Sequence, residues 1–176
     1  MSGHNKWSKI KNKKGAEDAK KSRVFSKYSK LITAESKKAG GNVSSPSLAA
    51  VIETAKKENM PKDTIERAVK KGMDPGTANI EAVMYETYGP GGVAIIIEAL
   101  TDNKNRTAPE IRHLLTKNGY ELAQPGAASW AFKKENGKWV AQTLISLSDA
   151  DLELLSKLVE ELEDTEDVQE VFTNAE

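Results

Sequence analysis

The sequence predicts an α+β protein, with a basic N-terminal three-helix bundle followed by a ferredoxin-like α/β sandwich domain. Three observations carry that expectation. Apolar residues recur at helical spacing as far as Gly72 and change to strand-like runs from Val83 onward. The elements beyond residue 80 read β-β-α-β-β-α-β, and the last six fit a split βαβ sheet with two helices on one face. Charge also divides along the chain. Residues 1–72 hold 18 Lys and Arg against 7 Asp and Glu (+11), residues 73–142 hold 7 against 8 (−1), and residues 143–176 hold 1 against 11 (−10).

The elements follow in order. Residues 1–15 read as a basic arm, with Lys6, Lys9, Lys11, Lys13 and Lys14 around Trp7 and Ile10 and too little apolar surface to fold alone. Residues 16–72 form the bundle. Its first helix runs from Ala16 to Ala39 and stops at Gly40-Gly41. The second starts at Ser45-Pro46, a capping Ser followed by Pro at the first helical position, and buries Leu48, Val51, Ile52 and Ala55. The third runs from Lys62 to Lys71, buries Ile65, Ala68 and Val69, and is closed by Gly72. Residues 73–80 read as a linker to a single domain over residues 81–176.

In that domain Val83–Tyr88 and Val93–Leu100 are strands joined by a Gly89-Pro90-Gly91-Gly92 turn. Thr107–Asn118 is a helix with Thr107 and Glu110 at capping-box spacing. Residues 129–133 and 138–146 form a hairpin around Asn136-Gly137, a strong turn signal. Asp149–Asp164 is an amphipathic helix, and Val168–Phe172 is the last strand.

Composition narrows the function. The chain has no cysteine, which excludes disulfides and thiol chemistry, and no apolar run of membrane-spanning length. The N-terminus carries no apolar signal region, so the expected location is the cytoplasm. Its two histidines, His4 and His113, form no metal-binding pair, and no nucleophile elbow or phosphate loop is present. No catalytic residue, metal or cofactor is expected, nor a membrane or small-molecule partner. The concentrated positive charge points instead to a polyanion.

The candidate nucleic-acid contacts are therefore Lys6, Lys9, Lys11, Lys13, Lys14, Lys20, Lys21, Arg23 and Lys27, which bind phosphates as point charges. Trp7 either stacks on a base or wedges against the bundle. A polar loop between a buried strand and a helix adds Asn103, Lys104, Asn105 and Arg106; its simpler role is capping the helix. The acidic C-terminal helix is a solvated face, or else it repels nucleic acid or docks on the basic domain.

Several stretches resemble the YebC/PmpR family: Gly3-His4-Asn5-Lys6-Trp7, residues 59–68 (Asn-Met-Pro-Lys-Asp-Thr-Ile-Glu-Arg-Ala), residues 88–94 (Tyr-Gly-Pro-Gly-Gly-Val-Ala), residues 101–107 (Thr-Asp-Asn-Lys-Asn-Arg-Thr), and the closing Asp167-Val168-Gln169 to Asn174-Ala175-Glu176. The resemblance runs through nearly the whole chain. It implies a ribosome-associated translation factor that binds ribosomal RNA and relieves stalling at proline runs, or alternatively a DNA-binding transcriptional regulator. Mitochondrial members activate translation of a cytochrome oxidase subunit. The resemblance also implies a third domain inserted in the α/β domain. Here Phe132-Lys133-Lys134 leads through one turn to Thr143-Leu144-Ile145-Ser146-Leu147, leaving no room for that insertion.

Overall fold

A computed structural model describes residues 6–11 and 17–176, Glu17 by its backbone alone. Among these, the chain divides into two units: residues 17–81 with 100–102, and residues 6–11 with 82–99 and 103–176.

The first unit is the helical bundle, α2 (Glu17–Ala39), α3 (Pro46–Lys57) and α4 (Lys62–Met73). Its core is the apolar stripe expected from the sequence: Ile32, Leu48, Ile52, Ala55, Ile65, Ala68 and Val69, joined by Met60. Helix α2 ends at Gly40 and Gly41, both at positive φ, the backbone region that glycine enters without a Cβ penalty. Ser45 stands at the N-cap of α3, but its side chain makes no capping bond; Pro46 supplies the first-turn geometry. Gly72 is not a stop. Helix α4 continues to Met73, and Gly72 is buried against α2, where a Cβ would lie 2.6 Å from the Thr33 carbonyl oxygen and the Ser36 Cβ. The same contact is tied by Ser36 Oγ donating to the Val69 carbonyl (2.7 Å) and Thr33 Oγ1 to the Ala68 carbonyl (3.2 Å). Part of the expected linker folds back as well: Thr77 Oγ1 donates to the Lys71 carbonyl and Lys37 Nζ to the Thr77 carbonyl.

The second unit is the α/β part. A three-stranded sheet has the order β1 (Glu81–Tyr88), β2 (Ala94–Thr101), β5 (Val168–Thr173). Strands β2 and β5 are antiparallel, with Ile96 opposite Phe172, as the first and last strands of a ferredoxin-like β-α-β-β-α-β unit are. The hairpin β3 (Phe132–Glu135) and β4 (Lys138–Ala141) does not extend that sheet, as an uninterrupted six-element sheet would require; it forms a two-stranded sheet of its own. The second neighbour of β2 is β1, so that edge is already taken. The hairpin strands are also shorter than expected, and residues 143–146 contribute one isolated bridge, Ile145 to Ala175.

Alternation along β2 explains why it is apolar over Ala94–Ile97, the stretch before the half-buried Glu98. Ile95 and Ile97 face α5 (Lys104–Lys117) and α6 (Asp149–Asp164), meeting Ile111, Leu115, Leu152, Leu155, Leu158 and Leu162. Ala94 and Ile96 face the other way, against Ala128, Ala131 and Phe132 with the partly buried Trp139. Burial on both faces requires apolar residues at each of those four positions. The Gly89–Gly92 segment is the expected tight turn, with Gly91 at φ +64° and its missing Cβ leaving room for Leu147. Asn136 (φ 50°) and Gly137 (φ 78°) form the tip of the hairpin.

The described part of the expected arm is itself folded. Helix α1 (Lys6–Lys11) packs in the α/β unit, with Trp7 8% exposed in the core that includes Leu155, Leu158 and Leu162. One indole supplies enough apolar area to hold a short helix that would not form alone.

Candidate nucleic-acid interface

Helix α2 carries the cations that the sequence picks out in the bundle. Lys20, Arg23 and Lys27 recur at helical spacing, and Lys30 continues the row three residues on. On an α-helix that spacing puts all four on one face, away from Phe25, Tyr28 and Ile32, which meet the bundle core. Lys20 and Lys21 are exposed; Arg23, Lys27 and Lys30 are half-buried along their stems. Lys30 was not among the residues chosen from the sequence, although the spacing that selects the other three also selects it.

Within α1 it is Trp7 that serves a different purpose from those expected. Trp7 neither stacks outward nor wedges against the bundle; it is buried in the α/β unit. Lys6 lies 3.5 Å from Asp149, and Lys11 lies 3.9 Å from Glu163, both carboxylates on α6. Lys9 is exposed. The acidic helix thus meets the basic α1 segment within its own unit, whereas the sequence offered it the basic domain as a docking partner. Lys13 and Lys14 lie outside the described residues.

The segment 103–106 is occupied by structural duties. Asn103 is the N-cap of α5, accepting from the Asn105 backbone N–H at 3.0 Å, so the helix starts three residues before the expected Thr107. Thr107 and Glu110 do not form a capping box. Thr107 Oγ1 instead donates to Asp167 Oδ2 (2.6 Å), and Arg106 Nη2 donates to both oxygens of Asp167 (3.1 and 2.9 Å). Arg106 is therefore not spare for a partner. Lys104 and Asn105 are exposed in the first turn of α5. Burial and the adjacent Asp167 carboxylate raise the Tyr85 phenol above its ordinary value, and Lys104 opposes that shift.

Beside this segment an open groove of 720 Å³ is lined by Glu110, Glu161, Asp164, Glu166 and Asp167 against Arg106 and Lys117, its only full cations among the described residues. Five carboxylates against two cations make it unfavourable for phosphate. His113 faces this groove as a surface residue. The cations named from the sequence thus fall in both units: the α2 row in the bundle, and α1 and the 103–106 segment in the α/β unit.

Two buried carboxylates were missed by residue reading. Asp167 organises the start of α5, and Glu86, 2% exposed, accepts backbone N–H groups of Gly126 (2.6 Å), Ala128 (3.0 Å) and Ser129 (2.6 Å). Burial alone would raise the Glu86 carboxyl, but these donors outweigh it and hold the group below its ordinary value. The run Met84-Tyr85-Glu86-Thr87-Tyr88 gave one signal, an acid inside an otherwise strand-like segment.

Comparison with known proteins identifies the lineage. Residues 5–75 match the TACO1/YebC protein N-terminal domain, and residues 80–138 and 133–175 match the TACO1/YebC second and third domain, two pieces that meet at the β3–β4 hairpin. A probable transcriptional regulatory protein of Fervidobacterium nodosum is 48% identical over 151 residues, covering 85% of this chain and 60% of the relative. The chain thus spans well under two thirds of that relative's length. One of the same name from Thermosipho africanus is 37% identical over 237 positions, covering all of this chain and 94% of the relative. Because the chain has 176 residues, 237 − 176 = 61 of those positions have no counterpart here. A crystal structure of a conserved hypothetical protein, Aq1575 from Aquifex aeolicus, superposes with a TM-score of 0.80 at 29% identity over 93% of both chains. The chain belongs to the TACO1/YebC family.

Proposed function

We propose that the protein is a nucleic-acid-binding regulator of gene expression that acts by binding rather than by catalysis, gripping its target through phosphates. The observation that carries this reading is the row Lys20, Arg23, Lys27 and Lys30 on the outer face of α2, within an N-terminal region of net charge +11. Net charge of that size is costly to a folded domain, and a polyanion relieves it. The names of the relatives, probable transcriptional regulatory proteins, support DNA as the target.

A second reading, ribosomal RNA bound by a translation factor that relieves stalling, keeps one specific support. Helix α4 presents exposed Asp63 and Glu66 in its first two turns, and Arg67 folds back onto the Asp63 carbonyl and Thr64 Oγ1. Such a helix is poorly made for reading base edges in a DNA groove. Phosphate contacts from α2 require no base readout and serve a structured RNA equally well.

The test compares the parent with a variant carrying Ala at Lys20, Arg23, Lys27 and Lys30. Affinity for a DNA duplex and for purified ribosomes is measured across a salt series. The parent's log affinity falls linearly with log salt, and the variant's slope is shallower by roughly 0.7–0.9 for each phosphate that is no longer neutralised. The partner whose slope changes is the target. An unchanged slope for both removes α2 from the interface.

A further inference from the structure

We propose that Trp130, held by Tyr88, is a stacking subsite for an unpaired nucleobase, an inference that rests on the nucleic-acid reading above. Trp130 is 58% exposed and Tyr88 37%, although the other two tryptophans are buried or half-buried. The exposure is not looseness. Trp130 Nε1 donates to Tyr88 Oη at 2.7 Å, and Tyr88 Oη donates in turn to the Ala127 carbonyl. Gly126, Ala128 and Ser129, which lead into Trp130 along the chain, are fixed by the Glu86 carboxylate. Glu86 and Tyr88 alternate onto the same face of β1, so one strand pins this loop at two points.

This arrangement decides the ligand class. The indole N–H, the only polar handle of Trp130, is already satisfied, so the ring offers a flat apolar face and nothing that reads hydrogen bonds. Bases of any sequence stack on such a face. Charge points the same way. Residues 82–176 hold 8 Lys and Arg against 17 Asp and Glu, yet Lys133, Lys134 and Lys138 lie within eight residues of Trp130 with only Glu135 among them. These lysines pair with Glu135, Glu98 and Glu170. All three lysine side chains are more than half exposed, and pairs of that kind contribute little, so a phosphate beside the stacked base can displace a carboxylate. A base needs a free face to stack, so the ligand is a single strand or an unpaired loop, not a duplex.

The test measures binding of fluorescently labelled oligo(dT), oligo(U) and a DNA duplex to the full chain and to Trp130→Ala, Trp130→Phe and Tyr88→Phe. Trp130→Ala is expected to weaken single-strand binding about tenfold with the salt slope unchanged, since stacking releases no counterions. Trp130→Phe keeps a ring and should fall between parent and Ala; Tyr88→Phe should cost less than Trp130→Ala. Comparison of oligo(dT) with oligo(U) tells which sugar is preferred. Parental affinity in Trp130→Ala overturns the subsite and leaves the α2 reading standing. Quenching of Trp130 by a proline-rich peptide but by neither single strand overturns it in favour of a peptide site. Loss of a dimer in Trp130→Ala by sedimentation overturns it in favour of self-association. Failure of the parent to bind either single strand overturns the subsite, while the α2 reading is decided separately by the duplex and ribosome salt series.

Discussion

Arg106 and Asp167, 61 residues apart in sequence, form a pair in which one guanidinium nitrogen lies 3.1 and 2.9 Å from the two oxygens of a carboxylate that is 1% exposed. Thr107 adds a third bond to the same group. The pair fastens the first turn of α5 to the start of β5. Arg106→Lys keeps the charge, but its ammonium sits one bond nearer the backbone than Nη2 and falls short of the carboxylate, so stability should drop by about 1–2 kcal/mol. Asp167→Ala should cost more, about 3 kcal/mol, because it strands Arg106 and Thr107 together. Urea denaturation checks both; a melting curve unmoved in Arg106→Lys would return the residue to the surface.

Acid should expose the Glu86 anchor. Its carboxyl is held below the ordinary value near 4.5, so its contribution is fully present above that value and is lost as pH falls through the lower folded value. Glu86→Gln can accept through one oxygen only and turns an N–H toward backbone donors, which should cost about 3 kcal/mol at neutral pH. The gap between parent and variant should narrow below pH 4.5 in denaturation curves taken from pH 7 downward. A gap independent of pH would mean that the carboxylate charge contributes nothing.

Gly72→Ala sets two effects against each other. Alanine favours a helix by about 1 kcal/mol over glycine. The added Cβ, however, would sit 2.6 Å from the Thr33 carbonyl oxygen, backbone that can yield only if α2 and α4 move apart. Overpacking of this kind costs about 1–3 kcal/mol, so the variant should be net destabilised. A raised melting temperature would show that the two helices separate easily.

Helix α1 should be held by its indole and not by its lysines. Trp7→Ala should destabilise the α/β unit by about 3 kcal/mol, as large core truncations do. Lys6→Ala with Lys11→Ala should change stability by less than about 1 kcal/mol, since the Lys6 and Asp149 side chains are 67% and 92% exposed. Thermal melts of the two variants side by side provide the comparison.

The parts legible in the sequence were those written in local pattern. Leu48, Ile52 and Ala55 declare one helix face, Leu152 to Leu162 another with its bounds Asp149–Asp164 as observed, and Asn136-Gly137 a hairpin tip. What escaped depends on distant partners. Nothing near Trp7 says that a residue-155 leucine will cover it, and nothing near Thr107 says that its hydroxyl will leave the capping box for Asp167. Gly72 carries the usual mark of a helix end, and only the closeness of α2 shows it to be a packing site. The pairing of β1 with β2, which leaves the β3–β4 hairpin to itself, is likewise a choice among edges that alternation alone does not make.

The hairpin tip at Asn136-Gly137 has an evolutionary reading. Glu135 and Lys138 are directly paired, so the chain leaves and re-enters the sheet at one place. Extra residues grafted there stretch no strand, and the entropy of closing a longer excursion grows only with the logarithm of its length. A whole module can therefore be spliced in or excised in a single genetic event while both cores keep their registry. The family descriptions meet at residues 133–138, where the architecture is most forgiving of such editing.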